Sequence, residues 1–368
     1  MKVAITGGDG FLGWHTACRL RALHGLEPLR ITRSDFLDVR QLTTRLSGVD
    51  VVIHLAGVNR AQDPEVVEAG NIELAEKLLA ALSPHSGDLS VVFANSIHAG
   101  SDTPYGRGKA QAAEVLRAGV KCLGGKFADV RLPNLFGEHG RPHYNSFVAT
   151  FVHEILSGGL PRVTDDREIS LLHVQNAADA LIGAIGRQES LQPSGESRRV
   201  TAVLEELQSF HALYYKTGEI PDISTPFARD LFNTYRAAAF PTMWPIYPQV
   251  HEDARGRLFE TVRSHGGTGM AFMSVTRPGH ERGHHYHLHK VERFSVIQGD
   301  AEISLRRLMH DEIVKFRVSG TQASFIDMPT LWVHSIKNIG EGELVTMFWA
   351  DQLLSHESPD QFPERVDR

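Results

Sequence analysis

The pattern of hydrophobic and polar positions changes near residue 245. Before it, continuous apolar runs such as 49–57 and 89–94 alternate with stretches of helical spacing such as 14–23 and 71–82. Uninterrupted apolar runs are typical of parallel strands buried on both faces, so this part predicts an α/β fold. After it come seven short β-type runs, at 258–263, 270–275, 292–297, 301–308, 313–318, 331–336 and 344–349. Their regular spacing predicts an antiparallel, all-β jelly roll.

A segment rich in proline and tryptophan, 240–248, lies between the two patterns. Because proline ends the helical periodicity there, we place a domain boundary at 242 and predict domains at 1–242 and 243–368. In the second domain, Gln298-Gly-Asp300 and Gly340-Glu-Gly342 predict the turns of β-hairpins.

The composition narrows the class of protein without changing this division. The 368 residues are 42% hydrophobic and 22% charged, with a formal net charge of −6, which disfavours nucleic acid or an anionic membrane as a partner. No apolar run is long enough to span a bilayer, Met1 and Lys2 lead directly into an apolar run without a signal peptide, and Cys18 and Cys122 form no CxxC pair. We therefore expect a cytoplasmic enzyme.

A glycine-rich turn follows the first apolar run and precedes a helical stretch. It reads Gly7-Gly-Asp-Gly10-Phe11-Leu12-Gly13. Strand, glycine turn and helix in this order predict a Rossmann-type dinucleotide site, in which Gly7 makes the tight turn, Gly10 admits the pyrophosphate and Gly13 lets the helix pack on the strand. The helix N-terminus, with Phe11 and Leu12, offers N–H groups to the phosphates.

The end of the second strand bears on the choice of cofactor. Arg33 stands where a NAD-specific fold would place an acid, and its guanidinium can pair with the 2′-phosphate of NADP. NADPH is therefore the predicted cofactor; the alternative is a surface arginine with either cofactor. Asp38 and Val39 are placed beside the adenine. The remaining cofactor-binding candidates end the run at 49–57: Leu55, Ala56 and Gly57.

A serine, a tyrosine and a lysine then provide groups for carbonyl chemistry. Ser96 ends a predicted strand, and Tyr105 and Lys109 lie four residues apart on one face of the next helix. A lysine cation near the phenol would lower the tyrosine pKa from ~10, so that Tyr105 exchanges a proton with a carbonyl oxygen near neutral pH. Ser96 can hydrogen-bond the same oxygen.

Over residues 1–240 the chain resembles the extended short-chain dehydrogenase/reductase family. The matching residues are Thr6-Gly7-x-x-Gly10-x-x-Gly13, His54-Leu-Ala-Gly57, Asn71, Ser96, Tyr105, Lys109, Arg131-Leu-Pro-Asn134-Leu-Phe-Gly137 and His173-Val-Gln-Asn-Ala-Ala-Asp-Ala-Leu181. The resemblance implies that Tyr105 is the acid/base, that Lys109 tunes its pKa and binds the nicotinamide ribose, and that Ser96 polarises the carbonyl. The short gap between Ser96 and Tyr105, and glycine at Gly108, depart from the commonest form.

A polar, loop-rich region from 134 to 170 is the predicted substrate site. Its candidates are Asn134, Arg141, His143 and Asn145, since amide, imidazole and guanidinium groups suit a nucleotide diphosphate. The alternative for any one of them is a solvated loop.

The second domain contains a histidine-rich stretch at 279–299. His285 and His287 are two apart and point to the same side of a strand, and Glu292 follows. Imidazole and carboxylate are ligands for zinc or another first-row divalent ion. The remaining candidates for a base that removes a proton next to a carbonyl are His280, His284, Tyr286 and His289.

From about 245 onward the chain resembles the cupin family. Gly279-x5-His285-x-His287-x4-Glu292-x6-Gly299 matches the first cupin motif, and Pro329-x-Leu331-x2-His334-x3-Asn338 is similar to the second, with Leu331 in place of the usual glycine. The resemblance implies a metal held by His285, His287, Glu292 and His334. The alternatives are an adventitious ion, and a cupin without metal, as in some sugar epimerases.

The whole chain resembles the bifunctional capsule and O-antigen enzymes that form UDP-2-acetamido-2,6-dideoxy-L-talose. The similarity includes the domain order, His54-Leu-Ala-Gly-Val-Asn-Arg60, Asn95-Ser-Ile-His98 and Pro142-His-Tyr-Asn-Ser146. It implies a UDP-sugar substrate, C3 epimerisation by the cupin, C4 reduction with NADPH, and a homodimer. The alternatives are a metal-dependent cupin oxygenase or isomerase with a non-reducing nucleotide-binding domain, and an NADP-sensing scaffold.

Overall fold

Helices and strands alternate over the first 199 residues, and strands dominate from residue 250 onward. The structure, a computed structural model, describes residues 1–85, 88–353, 355, 357 and 359–367. The first part contains β1 (Val3–Thr6), α1 (Phe11–His24), β2 (Leu29–Ile31), a 3₁₀-helix (Ser34–Leu37), α2 (Val39–Arg45), β3 (Val51–His54), α3 (Pro64–Leu82), β4 (Ser90–Ser96), α4 (Pro104–Cys122), β5 (Lys126–Leu132), β6 (Asn134–Phe136), α5 (Phe147–Leu156), β7 (Glu168–His173), α6 (Val174–Gly183), β8 (Ser190–Leu191) and β9 (Glu196–Arg199).

The second part begins with helices and continues as strands. Its elements are α7 (Val200–Phe210), a π-helical turn (His211–Tyr215), α8 (Pro226–Ala239), β10 (Val250–Asp253), β11 (Gly256–Phe259), β12 (Met270–Thr276), β13 (Glu281–Tyr286), β14 (Glu292–Gln298), β15 (Asp300–Arg307), β16 (Ile313–Ser319), β17 (Phe325–Met328), β18 (Trp332–Asn338), β19 (Leu344–Ala350) and β20 (Phe362–Pro363). Within the described residues, no helix is both long and apolar enough to cross a bilayer.

The chain forms two compact units. The first comprises Met1–Phe136, His143–Ser146 and Arg167–Arg198, and the second comprises Gly137–Pro142, Phe147–Asp166 and the described residues from 199 onward. The helices between 200 and 239 therefore belong to the second unit, whereas the hydrophobic pattern places them in a domain ending at 242.

A parallel sheet forms the centre of the first unit, as the apolar runs predict for an α/β fold. Its strand order is β2-β1-β3-β4-β5-β8, and every residue of β1, β3 and β4 is buried. The chain passes from β1 to β2 on one side and then to β3 on the other side of β1. This reversal is the switch point at which Rossmann-type sheets bind ligands, beyond the carboxyl ends of the strands.

Helices α3 and α4 pack closely beside this sheet. Each begins with proline after a capping side chain: Asp63 accepts from the backbone N–H of Glu65, and Thr103 accepts from that of Gly106. A side chain at Gly108 would place its Cβ 2.9 Å from the Cα of Glu68. Glycine at this position, which departs from the commonest family form, therefore permits the close helix contact.

Two antiparallel sheets form most of the second unit, in the orders β12-β19-β14-β17 and β16-β15-β18-β13-β20. The predicted hairpins at 298–300 and 340–342 are wrong. β14 pairs with β17 and β19, whereas β15 pairs with β16 and β18, so the first turn joins two sheets. The second turn likewise links β18 in one sheet to β19 in the other. The glycines were read correctly as turns, but turn chemistry does not specify which strands pair.

A buried polar network holds the helical segment to these strands within the second unit. Nε of Arg293 lies 2.6 Å from Oδ1 of Asp327, and the hydroxyl of Tyr214 donates to the same carboxylate. Arg236 of α8 donates to the backbone carbonyl of Met328 at 3.3 Å. Since Arg293, Asp327 and Tyr214 are almost fully buried, these partners must satisfy their polar groups.

Candidate functional site

The glycine turn after β1 allows a ligand to contact the backbone of the protein. Gly7 has a φ of +67°, and a Cβ at Gly13 would lie 2.2 Å from the carbonyl oxygen of Gly7. Gly10 is the N-cap of α1, and Phe11 and Leu12 are its first residues. The first N–H groups of a helix have no partner within it, so this cradle fits a diphosphate.

The segment after β3 is fixed to the end of β1. The hydroxyl of Thr6 accepts from the backbone N–H groups of Leu55 and Ala56, each at 3.1 Å, and lies 2.7 Å from Nδ1 of His54. Burial lowers the pKa of His54 to about 3, so its ring is neutral. Gly57, which is exposed, follows directly. The predicted residues 55–57 thus lie at the same sheet edge as the glycine turn.

The three predicted residues after β2 lie at the surface or partly buried. Arg33 is exposed and precedes the 3₁₀-helix, and exposed Asp38 caps α2, whose first residue is Val39. The carboxylate of a nearby acid, Asp35, is bound by other residues of the chain. It accepts a hydrogen bond from the backbone N–H of Thr32 at 2.7 Å and forms a salt bridge with Arg45 at 2.6 Å. Burial would raise the pKa of Asp35, but these partners lower it.

The predicted residues Ser96, Tyr105 and Lys109 lie on β4 and α4. Ser96 is the last residue of β4, and the other two lie in the first turns of α4. Ser96 and Tyr105 are joined by a side-chain hydrogen bond. The Lys109 ammonium donates to the backbone carbonyl of Ala94 at 2.6 Å and lies 4.0 Å from the ring centre of Phe93. The phenol and the hydroxyl therefore meet at the carboxyl end of a central strand, and the Lys109 ammonium binds the same strand two residues earlier.

The electrostatics of this group differ from the prediction. Burial lowers the pKa of Lys109 to about 7. Burial raises the pKa of Tyr105, and the hydrogen bond with Ser96 only partly opposes that effect. The expectation that lysine lowers the phenol pKa is therefore wrong here, because desolvation of the phenolate outweighs the other influences. The phenol of Tyr105 therefore stays protonated across the neutral range.

The predicted substrate residues are placed in two units. Asn134 begins β6 and donates weakly to the carbonyl of Ser170 at 3.4 Å. His143 and Asn145, both exposed, belong to the first unit, whereas exposed Arg141 belongs to the second. Tyr144, between the two, is close enough to Tyr105 to raise the pKa of that phenol. Tyr144, which belongs to the polar region at 134–170, is thus a neighbour of Tyr105.

The four predicted metal ligands form one cluster in the second unit. The donor atoms of His285, His287, Glu292 and His334 all lie within 4.8 Å of one another, and all except His285 are fully buried. Nε2 of His287 lies 3.1 Å from Oε2 of Glu292, and Nε2 of His334 lies 3.2 Å from the same oxygen. Two ligands of one ion at ~2.1 Å each are at most ~4.2 Å apart, so the widest pair would close slightly.

The carboxylate and the imidazoles of this cluster shift one another's pKa values. Burial would lower the pKa of His287, but the negative charge and hydrogen bond of Glu292 raise it. Burial would raise the pKa of Glu292, but His287 holds it well below its usual value. Burial and the other two imidazoles lower the pKa of His285 to about 3. A divalent ion requires an ionised carboxylate and neutral imidazoles, so an ion bound here would displace the proton that Glu292 favours on His287.

Backbone carbonyls orient two of the imidazoles. Nδ1 of His334 lies 3.1 Å from the carbonyl of Trp332, and Nδ1 of His287 bonds to the carbonyl of Asp360. Both arrangements leave Nε2 facing the cluster, as metal-ligating histidines require. Among the described residues, Nε2 of His334 is buried without an aligned hydrogen-bond partner. This nitrogen lies 3.2 Å from Oε2 of Glu292, a position compatible with one metal ion bound by both residues.

The backbone around the cluster keeps the shape that its motifs specify. Leu331, in place of the usual glycine, has a φ of +63° and donates from its N–H to the carbonyl of His287 at 2.8 Å. A Cβ at Gly283 would lie 2.7 Å from the carbonyl oxygen of His334, so glycine allows β13 and β18 to approach closely. Leucine therefore adopts the left-handed conformation that glycine would adopt freely.

The other histidines of the stretch and Tyr286 have separate contacts. His280 is exposed, and His284 lies 3.4 Å from Glu281. Tyr286 is buried and stacks on Phe362. His289 is partly buried, with Nδ1 3.7 Å from Oδ1 of Asp230 in α8.

Sequence reasoning missed the contacts of four residues near these sites. Thr6 and His54 were quoted as family matches, but their mutual hydrogen bond was not inferred. Asp360 lies far along the chain from the turn it contacts, and no motif marks it. Asp35, two residues after Arg33, is an acid whose presence in the sequence bears on the choice between NAD and NADP.

Comparisons with known proteins agree with this geometry. Residues 3–196 match the model of the NAD dependent epimerase/dehydratase family, and residues 251–362 match the Polysaccharide biosynthesis C-terminal domain. The UDP-2-acetamido-2,6-beta-L-arabino-hexul-4-ose reductase of Pseudomonas aeruginosa is 30% identical over an alignment of 368 positions that covers 98% of each chain.

Two solved structures extend the comparison. The capsular polysaccharide assembling protein CapF from Staphylococcus aureus is 27% identical with a TM-score of 0.62, and the match covers 100% of both chains. UDP-N-acetylglucosamine 4-epimerase from Bacillus cereus is 20% identical with a TM-score of 0.51, over 58% of this chain and 82% of that one. The second likeness concerns the fold of the first part alone.

Proposed function

The chain belongs to the NAD dependent epimerase/dehydratase family, and on that premise we propose that it is a bifunctional nucleotide-sugar enzyme. Its substrate is a UDP-linked 4-keto-6-deoxy-N-acetylhexosamine. The second unit epimerises C3, and the first unit reduces C4 with NADPH, which yields UDP-2-acetamido-2,6-dideoxy-L-talose for capsule or O-antigen synthesis. The observation that carries this proposal is the joint presence of the Ser96–Tyr105–Lys109 group and the His/Glu cluster in one chain.

The reduction assigns one role to each residue of the first group. Tyr105 donates its proton to the C4 ketone oxygen, which its raised pKa suits because the phenol stays protonated at neutral pH. Ser96 hydrogen-bonds the same oxygen and stabilises the charge that develops on it. The Lys109 cation, buried beside Phe93, stabilises the phenolate that remains.

The glycine turn and its neighbours would hold the cofactor, which supplies the hydride when bound. The cradle of Gly7, Gly10 and Gly13 would take the pyrophosphate. Preference for NADPH is supported by exposed Arg33 and by the contacts of Asp35 with Thr32 and Arg45, which occupy that carboxylate. Phe11, Leu12, Asp38, Val39 and residues 55–57 complete the proposed site.

The UDP moiety is assigned to the polar region that begins with β6 and continues to residue 145. Arg141 offers a guanidinium for the diphosphate, and Asn134, His143 and Asn145 offer hydrogen bonds to phosphate or sugar. The P. aeruginosa relative, which matches nearly the full chain, is named for the reduction of a UDP-linked 4-ketose. That name supports the same substrate class here.

The second unit is proposed to be a cupin with one divalent ion, zinc being the first candidate. The strand orders β12-β19-β14-β17 and β16-β15-β18-β13 support a jelly roll. His285, His287, Glu292 and His334 would hold the ion, which supplies Lewis acidity next to a sugar carbonyl. The C4 ketone acidifies the C3 hydrogen, and the base is assigned to one of His280, His284, Tyr286 and His289. We further propose a cytoplasmic homodimer in which residues 1–242 serve the reduction and residues 243–368 serve the epimerisation.

Replacement of Tyr105 tests the reductase directly. Tyr105→Phe removes only the donated proton, so we expect kcat for ketone reduction to fall about 10²- to 10⁴-fold, while UDP still binds in calorimetry. Tyr247→Phe, at an exposed tyrosine of the second unit, is the control and should keep full activity. NADPH absorbance measures the rate.

Full NADPH oxidation by Tyr105→Phe would refute Tyr105 as the proton donor. Absence of NADPH oxidation by the unsubstituted protein with any UDP-4-keto-sugar would favour a metal-dependent oxygenase or isomerase with a non-reducing first domain. Unimpaired function of Tyr105→Phe without sugar reduction would favour an NADP-sensing scaffold.

A further inference from the structure

The turn between β13 and β14 is shaped around a residue from far along the chain. The carboxylate of Asp360 accepts hydrogen bonds from three consecutive backbone N–H groups, those of Leu288 at 2.8 Å, His289 at 3.0 Å and Lys290 at 2.8 Å. This turn directly follows His287 and leads to Glu292. Because three donors converge on one ionised acceptor, the carboxylate fixes the backbone between two of the clustered side chains.

The same residue also contacts a clustered imidazole. The backbone carbonyl of Asp360 accepts a hydrogen bond from Nδ1 of His287, whose Nε2 lies 3.1 Å from Glu292. Asp360 has a φ of +41°, a left-handed conformation that residues other than glycine rarely adopt. In this conformation one residue directs both its carboxylate and its carbonyl at the 287–290 turn.

Neighbouring contacts hold Asp360 in place. The buried ammonium of Lys290 donates to the carbonyl of Pro359 at 3.0 Å. Phe362 stacks on Tyr286 of β13 with ring centres 5.4 Å apart. These contacts bind the segment on both sides of Asp360 to the elements that carry the cluster.

A buried arginine extends this attachment further along the chain. Arg306 of β15 lies 2.8 Å from Glu364 and donates to the carbonyl of Val366 at 2.7 Å. Both of its partners belong to residues 359–366, which therefore form part of the structure around the cluster.

We propose that Asp360 is a positioning residue of the metal centre. Its carboxylate sets the path of the 287–290 turn, and its carbonyl sets the tautomer of His287, so that Nε2 faces the ion. Partners of this kind orient metal-bound imidazoles and raise their affinity for metal. The inference rests on the proposed function, because it needs His285, His287, Glu292 and His334 to hold an ion.

Zinc competition on the full-length chain tests the inference. Zinc-loaded Asp360→Ala is titrated with a chromogenic chelator, and its zinc affinity is expected to fall about 10- to 100-fold. The control is Asp367→Ala, since Asp367 is exposed and pairs with Arg365 in the same part of the chain; its affinity should equal that of the unsubstituted protein. Asp360→Asn keeps one oxygen acceptor and should give an intermediate affinity.

The absorption spectrum of the cobalt(II)-substituted protein separates positioning from general stability. The ligand-field bands report the geometry at the ion, so they should shift in Asp360→Ala and stay unchanged in Asp367→Ala. If Asp360→Ala does not fold, Asp360→Asn decides by the same two measurements. Equal affinities and spectra for the Asp360 variants and Asp367→Ala would overturn the positioning role and leave the metal centre intact. An unsubstituted protein that binds no zinc would instead refute the metal centre on which the role depends.

Discussion

Lys109 is the titrating residue of the proposed reductase group. Burial lowers its pKa to about 7 and raises that of Tyr105. The phenol therefore keeps its proton as pH rises through 7, while the ammonium loses its charge. We expect kcat/KM for ketone reduction to be constant below this pKa and to fall with increasing pH above it, as measured by NADPH oxidation across a pH series.

Two substitutions identify the group responsible for this pH profile. Lys109→Met should lower the rate at every pH because no cation remains. Lys109→Arg keeps its charge throughout, so the decline near 7 should disappear. A decline that persists in Lys109→Arg would assign the titration to another residue.

Arg33 is the residue on which the preference for NADPH depends. A charge-assisted hydrogen bond contributes about 1.5–3 kcal/mol, so Arg33→Ala should raise KM for NADPH about 10- to 100-fold and leave KM for NADH nearly unchanged. Arg40→Ala, at an exposed arginine of α2, serves as the control. Steady-state kinetics with both cofactors measure the ratio, and an unaltered ratio in Arg33→Ala would place the preference elsewhere.

At the residue scale, the sequence could predict the groups that local spacing brings together. Tyr105 and Lys109 are four apart on one helix, and His285 and His287 are two apart, so periodicity alone places each pair. Asp360 could not be found in this way, because its position depends on how a distant segment packs. The predicted direction of the Tyr105 pKa shift is also wrong, since the burial that raises this pKa is a property of the folded chain.

At the scale of elements, the close contact between α3 and α4 bears on both stability and activity. A methyl group at Gly108 would meet the backbone of Glu68, and such overpacking costs about 1–3 kcal/mol. We expect Gly108→Ala to lower the free energy of unfolding by that amount and to reduce reductase activity, since Lys109 is the next residue. Urea unfolding measures the first effect.

Gly183→Ala is the matched control for that substitution. Gly183 ends α6, and an added Cβ meets nothing within 4 Å. Alanine there should stabilise the helix by about 0.5–1 kcal/mol. Equal stability for the two variants would show that the helices can separate without cost.

Element types were more predictable than their pairing. The apolar run at 49–57 contains the buried strand β3, and the run at 89–94 covers most of β4, because strands covered on both faces need no polar alternation. The turns at 298–300 and 340–342 were assigned to hairpins, although each carries the chain between two sheets. Sheet membership depends on contacts across many residues, which local turn residues do not encode.

At the scale of the whole molecule, the helices between 200 and 239 show why a domain boundary is difficult to infer. Their helical spacing resembles that of the first part, yet Tyr214 and Arg236 are bound to residues 327 and 328 of the β-rich part. Short segments at 137–142 and 147–166 also belong to the second unit. Hydrophobic periodicity predicts whether a segment is a helix or a strand. It does not predict which hydrophobic core that segment packs into.

The central claim, that one chain contains two separate catalytic sites, is tested most directly by proton NMR in deuterated water. The UDP-4-keto-6-deoxy-N-acetylhexosamine is incubated first without NADPH and then with it. We expect the C3 proton signal to disappear without NADPH, and reduction at C4 to follow only when NADPH is added. His285→Ala should abolish the exchange at C3 and still reduce an already epimerised ketone. Persistence of the C3 signal in the unsubstituted protein, or full exchange in His285→Ala, would contradict the account.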